Sequence, residues 1–250
     1  VFLAQKKHFL KLCVWSIRSL QRFGTFNILI IVDSLDEKLF LNRHIEGVQI
    51  EVIKVDVGKL NMWCWKPLLL KNLKINYEQI IVSDVDIIWH HNPTELLQRV
   101  GSKPWFHKIT SLDPKEILEN MNNSQIPKRR IGLINMVNFL NINGINNLPN
   151  FHVNVGLFSV SKKDFKEIAE GWFDSVKSMK TENIMTEALI SIVLANKQIR
   201  PYCDIEDIKL HKKVRHRSVP FKVLEYKILE KKYKKQKNGY KYATHYHGDQ

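Results

Sequence analysis

Ile80-Ile-Val-Ser-Asp-Val-Asp-Ile-Ile-Trp89 is the stretch on which the reading turns. Gln79 to Val82 has the length and apolar content of a buried strand, and it delivers Ser83-Asp84-Val85-Asp86 at its carboxyl end. Alternation along an extended chain puts Asp84 and Asp86 on one side, where both can address a single hard cation. Just beyond, Asn92-Pro93 offers a capping amide and a proline for the first helical position, so a helix is expected over Pro93–Val100, ending at Gly101.

On the amino side, Val1 to Ala4 reads as a short first strand. Phe9, Leu10, Cys13, Val14, Ile17 and Leu20 then recur at helical spacing until Gly24 stops the helix. Asn27 to Val32 is a continuous apolar run ending in Asp33, which suits a parallel strand, and Val48 to Val55 suits another. Lys66 to Leu73 reads as a short helix. The order β-α-β-β-α-β-α, with carboxylates at a strand end, predicts an open, mostly parallel α/β sheet flanked by helices in a single domain. In such sheets ligands bind beyond the carboxyl ends of the strands.

Residues 120–150 are rich in Asn and punctuated by Pro127, Gly144 and Pro149, the composition of a long irregular excursion suited to a substrate-site loop. A strand over Val153–Val160, a helix capped by Ser161, a helix over Ile184–Ala195 and a last short strand over Ile199–Cys203 follow. Within the single domain the chain divides into a first half ending at the paired carboxylates and their helix (1–100), a second half (101–208) and a basic C-terminal segment (209–250).

With 44% hydrophobic and 26% charged residues, the chain has the composition of a globular protein with a full core. No apolar run approaches the roughly 18 residues that cross a bilayer; Met62 to Leu70 is broken by Lys66 and Pro67. Cys13, Cys64 and Cys203 are too few and too scattered for a disulfide framework or a zinc site, which favours a reducing compartment. The expected location is the cytoplasm, with peripheral membrane attachment, or a lumen if an anchor preceded Val1.

Between Lys209 and Lys241 stand thirteen Lys/Arg against Glu225 and Glu230, most of the chain's net charge of +14. Such a block meets nucleic acid, an anionic membrane or a polyanionic substrate. A solvated lysine-rich face has the same composition. Tyr226, Tyr233 and Tyr240 do not make the interleaved aromatic platform of a single-strand binder. Phe221, Leu224, Ile228 and Tyr233 fall at helical spacing, which favours an anionic membrane surface over nucleic acid.

Several short stretches, in order along nearly the whole chain, resemble a known family. Ile80 to Leu97 is similar to the Asp-x-Asp region of glycosyltransferases with the GT-A fold. Val1-Phe-Leu-Ala4 with Ser16-Ile-Arg-Ser-Leu20 resembles the opening of glycosyltransferase family 8, and Trp65-Lys66-Pro67 with Leu69 resembles the segment before its motif. Phe151-His-Val-Asn-Val-Gly-Leu157 is similar to the family's Asn-x-Gly strand beside the donor sugar, and His245-Tyr-His-Gly248 to its terminal His-x-x-Gly. The resemblance implies that Asp84, Asp86 and His245 ligate the metal, with His247 a competitor two residues on. It implies donor contacts from Lys66, Asp84, Val85, Asn154, Gly156 and Gly248. An oxygen and imidazole ligand set suits Mn²⁺ better than Mg²⁺.

Two departures stand out. Gln5-Lys6-Lys7 replaces the acids that usually end the family's opening strand, so uridine is only the family default. Met185-Thr-Glu187 keeps one carboxylate of an Asp-Gln-Asp-like segment, and a blood-group-type retaining transferase, the runner-up resemblance, has a comparable Glu.

The expected activity is therefore transfer of a sugar from a nucleoside diphosphate, UDP by family default, to a hydroxyl of a glycan, lipid or protein with retention. Glu187 and Asn154 are the catalytic candidates. The alternatives are an inverting transferase using Asp204, Glu206 or Asp207 as base, or a nucleic-acid- or membrane-binding protein built on the basic block.

Overall fold

The computed structural model describes residues 1–4, 7–54, 65–106, 109–111, 138, 141, 144, 149–178, 186–199, 201, 208–211 and 243–246. In chain order the elements begin with β1 (Phe2–Leu3), α1 (Lys7–Gln21), β2 (Leu29–Val32), α2 (Leu35–Asn42) and β3 (Gln49–Val52). Next come α3 (Trp65–Asn72), β4 (Gln79–Ser83), β5 (Ile87–Trp89), α4 (Pro93–Val100), β6 (Trp105–Phe106) and β7 (Ile109–Ser111). The remainder are β8 (Phe151–Val153), β9 (Leu157–Ser161), α5 (Lys162–Ser178), α6 (Thr186–Asn196), β10 (Ile208–His211) and β11 (Ala243–Tyr246). No helix among the described residues is long and apolar enough to cross a membrane.

The chain forms two compact units, Val1–Lys54 with Ile81–Gly101 and Asp204–Gln250, and Val55–Ile80 with Ser102–Cys203. In the first, strands run in the order β3-β2-β1-β4, all parallel. Two crossovers lead from β1 through α1 to β2 and through α2 to β3, and the chain then returns to the far side of β1 as β4. The strand order reverses between β1 and β4, which opens a crevice at their carboxyl ends.

Helix α2 is absent from the sequence-based order, although its signal is present. The Ser34 hydroxyl accepts from the Glu37 amide at 3.3 Å, and the Glu37 carboxylate accepts from the Asp33 amide at 3.1 Å. This is a capping-box pattern, shifted by one donor. Helix α1 has the expected span but is buried more widely than one face: Leu12, Trp15, Ser16 and Ser19 are buried with the predicted stripe. Inside this wall burial pushes the Cys13 thiol up, so it stays neutral and takes no part in thiolate chemistry.

The buried serines of α1 have different duties. Ser19 Oγ donates to the Ser16 carbonyl at 2.6 Å and accepts from the Trp89 amide at 2.9 Å. One turn on, Arg22 Nη2 donates to the Trp89 carbonyl at 3.0 Å. Strand β5 is thus fastened by one edge to α1, while β11 pairs antiparallel along the other and β10 pairs parallel with β11.

In the second unit, β6 pairs antiparallel with β9 and β7 with β8. Helix α5 packs against α3 and α6, and α6 packs on β8. At the α5–α6 crossing a Cβ on Gly171 would stand 2.9 Å from Val193 Cγ1, so the helices meet where only glycine leaves room. The strand expected over Val153–Val160 is two strands, because residues 154–156 turn between β8 and β9. Residues 199 and 201 are not in a strand, and the rest of the expected strand at 199–203 lies outside the described residues, as does nearly all of 120–150.

Ser19→Ala is expected to destabilise the protein by about 1–3 kcal/mol, because it strands the buried Trp89 amide. Ser16 Oγ is buried without a hydrogen-bond partner among the described residues, so Ser16→Ala is expected to be neutral or stabilising. Urea unfolding of the two variants beside the parent measures the contrast.

Candidate functional site

Ser83 closes β4, pairing with Phe2 of β1, and Asp84 follows at the β1–β4 reversal. The chain does not continue extended. Residues 84–87 form a turn, with the Ile87 amide donating to the Asp84 carbonyl at 3.4 Å, and the Ser83 hydroxyl donates to the same carbonyl at 3.0 Å. The alternation argument for Asp84 and Asp86 is therefore replaced: closure of the turn, with its ends within about 7 Å, keeps the two residues together. Its cause is the change of partner, since β4 lies in the parallel sheet and β5 in the sheet of β11.

Val85 is buried and anchors the middle of the turn. The two aspartates beside it are half-buried, and Asp86 Oδ1 is shielded from solvent. The β11–β5 register aligns Ala243 with Trp89, Thr244 with Ile88 and His245 with Ile87. The backbone thus returns from the far end of the sequence to put His245 opposite the residue after Asp86. The side chain of His245, and all of His247 and Gly248, lie outside the described residues. Among the described residues no three His, Cys, Asp or Glu side chains are grouped to hold a metal ion.

In the second unit two distant candidates meet. Lys66 Nζ, on the first turn of α3, donates to the Val155 carbonyl at 2.6 Å and stands 6.0 Å from the Phe158 ring centroid. Asn154 Oδ1 accepts from the Gly156 amide at 2.9 Å, an Asx turn that gives the backbone an alternative to the strand ladder. Helix α6 reaches the same segment through Ser191, whose buried hydroxyl accepts from the Val153 amide at 3.1 Å. Position 187 lies four residues before Ser191, on the same stripe of α6, although the Glu187 side chain is outside the described residues.

No protein-family model matches the chain, and neither does any curated protein. Solved structures do. The galactosyltransferase LgtC, in complex with donor and acceptor sugar analogues, matches over 99% of this chain and 86% of its own, at 11% identity and a TM-score of 0.56. An active-site mutant of LgtC matches with the same figures. Mouse xyloside xylosyltransferase 1, in its apo form, matches over 84% of this chain and 86% of its own, at 10% identity and a TM-score of 0.50. The chain has the GT-A fold.

At these identities the likeness is one of backbone, so the residues of this GT-A chain must be argued from their own geometry. Sequence reasoning overlooked Ser83, Ser191 and the Ser19–Arg22 pair, which support the candidate residues rather than carry chemistry. A serine inside an apolar helical run, as at 19 and 191, is the signal that was there to find: a buried hydroxyl needs a partner.

Ser191→Ala leaves the Val153 amide without its acceptor. Expected are a loss of about 1–3 kcal/mol in stability and faster hydrogen exchange at Val153, read by denaturant unfolding and by NMR.

Proposed function

We propose that this chain is a glycosyltransferase resembling family 8, which moves a sugar from a nucleoside diphosphate, by family default UDP, to an acceptor hydroxyl with retention of configuration. The observation that carries the reading is the Asp84-Val85-Asp86 turn at the strand-order reversal of a GT-A fold, with β11 aligning His245 beside it. A nucleoside diphosphate concentrates negative charge, and Asp84 and Asp86 are acids, so they suit it only through a shared cation. The donor set of two half-buried carboxylates and an imidazole fits a divalent ion, Mn²⁺ before Mg²⁺. Asp84, Asp86 and His245 would hold that ion, which neutralises charge on the leaving diphosphate.

The remaining roles belong to the chain's own groups and to the substrates. Val85 and Gly248 are assigned to the diphosphate side of the donor, and Asn154 and Gly156 to the sugar. Asn154 Oδ1 accepts from the Gly156 amide, and an amide side chain both accepts and donates, the chemistry that suits sugar hydroxyls. Glu187 stabilises the oxocarbenium-like centre. The bond from the anomeric carbon to the diphosphate breaks and the bond to the acceptor oxygen forms on the same face. The acceptor proton passes to a diphosphate oxygen, so no separate base is required. The basic segment 209–250 suits attachment to an anionic membrane surface near a lipid or glycan acceptor.

A panel of nucleotide sugars with Mn²⁺ is expected to yield one that is hydrolysed or transferred. Asp84→Asn and Asp86→Asn should each lower kcat by about 10²-fold or more, corresponding to roughly 3 kcal/mol of lost charge stabilisation. Full activity in both variants would remove the proposed metal site. NMR of the product reads its anomeric configuration: retention is expected, and inversion would move attention to a carboxylate base such as Asp204, Glu206 or Asp207.

A further inference from the structure

We propose that Lys66 is a positioning residue for the donor sugar, acting through the peptide between Val155 and Gly156 and not on the diphosphate. The inference rests on the donor-sugar reading of Asn154-Val155-Gly156.

The contacts at the turn converge on one peptide plane. Its carbonyl, that of Val155, accepts from Lys66 Nζ at 2.6 Å. Its amide, that of Gly156, donates to Asn154 Oδ1 at 2.9 Å. Rotating this peptide about the chain would break both bonds together, so the pair fixes its orientation and, with it, the exit of the chain into β9. Glycine on one side would otherwise leave the rotation inexpensive.

Three features make the lysine bond durable. Its donor is charged and its acceptor belongs to buried Val155, the combination that gives short and strong hydrogen bonds. The adjoining Trp65 is buried and roots the first turn of α3, so the lysine stem departs from a fixed backbone. The Phe158 ring lies 6.0 Å from Nζ, within the range of a cation–π contribution. An ammonium so placed bears on how the Asn154 amide and Gly156 backbone are presented to a sugar.

Binding measurements separate the two roles. With Mn²⁺ present, titration calorimetry compares UDP, UDP-galactose and UDP-xylose on the parent and on Lys66→Met. Expected is an unchanged affinity for UDP, within about twofold, with the extra affinity contributed by the sugar reduced about tenfold or more. Hydrogen exchange at the Gly156 amide should quicken in the same variant. Lys66→Arg, which keeps a charged donor, should recover part of both effects, and Lys66→Gln replaces Lys66→Met if the latter does not fold.

An equal loss for UDP and its sugars would overturn the proposal and put Lys66 on the diphosphate. Unchanged exchange at Gly156 would also overturn it. If the parent bound none of the three, the donor reading would fail by itself, and the role assigned to Lys66 with it, whereas exchange at Gly156 would still report whether the peptide is locked.

Discussion

Trp89 has both of its backbone polar groups taken by side chains, the amide by Ser19 of α1 and the carbonyl by Arg22 just past its end. This grip holds one edge of β5, a three-residue strand, and leaves the other edge to β11. At its far end β4 is set beside β1 by the parallel ladder. The turn at residues 84–87 spans the short interval between these two fixed strands, so its place follows from theirs. Buried Val85 fills the turn, and the flanking aspartates stand at the point where the strand order reverses. The pairing of β11 with β5 then brings a residue from the end of the chain next to carboxylates some 160 positions earlier. Such a juxtaposition depends on long-range pairing, which no local propensity supplies.

The second unit uses the same device of polar side chains spent on backbone groups. Ser191 satisfies the Val153 amide, Asn154 the Gly156 amide and Lys66 the Val155 carbonyl, so three consecutive steps of one short segment are each held from outside the ladder. Leaving such groups unpaired when buried would cost about 1–3 kcal/mol each. A turn fixed in this way is suited to present an amide side chain and a bare backbone to a ligand without reorganising.

What the sequence made legible was local. Asn92-Pro93 and Gly101 bound α4 where expected, because the cap and the termination are short-range: Asn92 Oδ1 accepts from Thr94, and Gly101 takes a positive φ of 65° while donating to Leu97. Strands β2 and β4 were legible as apolar runs, α1 by the helical spacing of its apolar residues, and α6 by its apolar content. The turn at Asp84-Val85-Asp86 was not, since an apolar strand followed by Asp-x-Asp-Ile-Ile reads as one extended run, and only the change of partner from β1 to β11 breaks it. The division of Val153–Val160 at Asn154-Val155-Gly156 was hidden in the same manner, by an Asx turn within a β-rich pattern. Strands β10 and β11 were obscured by the basic composition around them. Lys66 was singled out from the sequence as a donor-contact candidate, but its bond to Val155 spans 89 positions and could not be read from spacing.

A crystal structure of the protein soaked with Mn²⁺ and UDP tests the central claim most directly. Anomalous scattering from the manganese should locate one strong site bound by Asp84, Asp86 and His245, with diphosphate oxygens completing the shell. Manganese held elsewhere, or a diphosphate bound away from the turn at residues 84–87, would contradict the account.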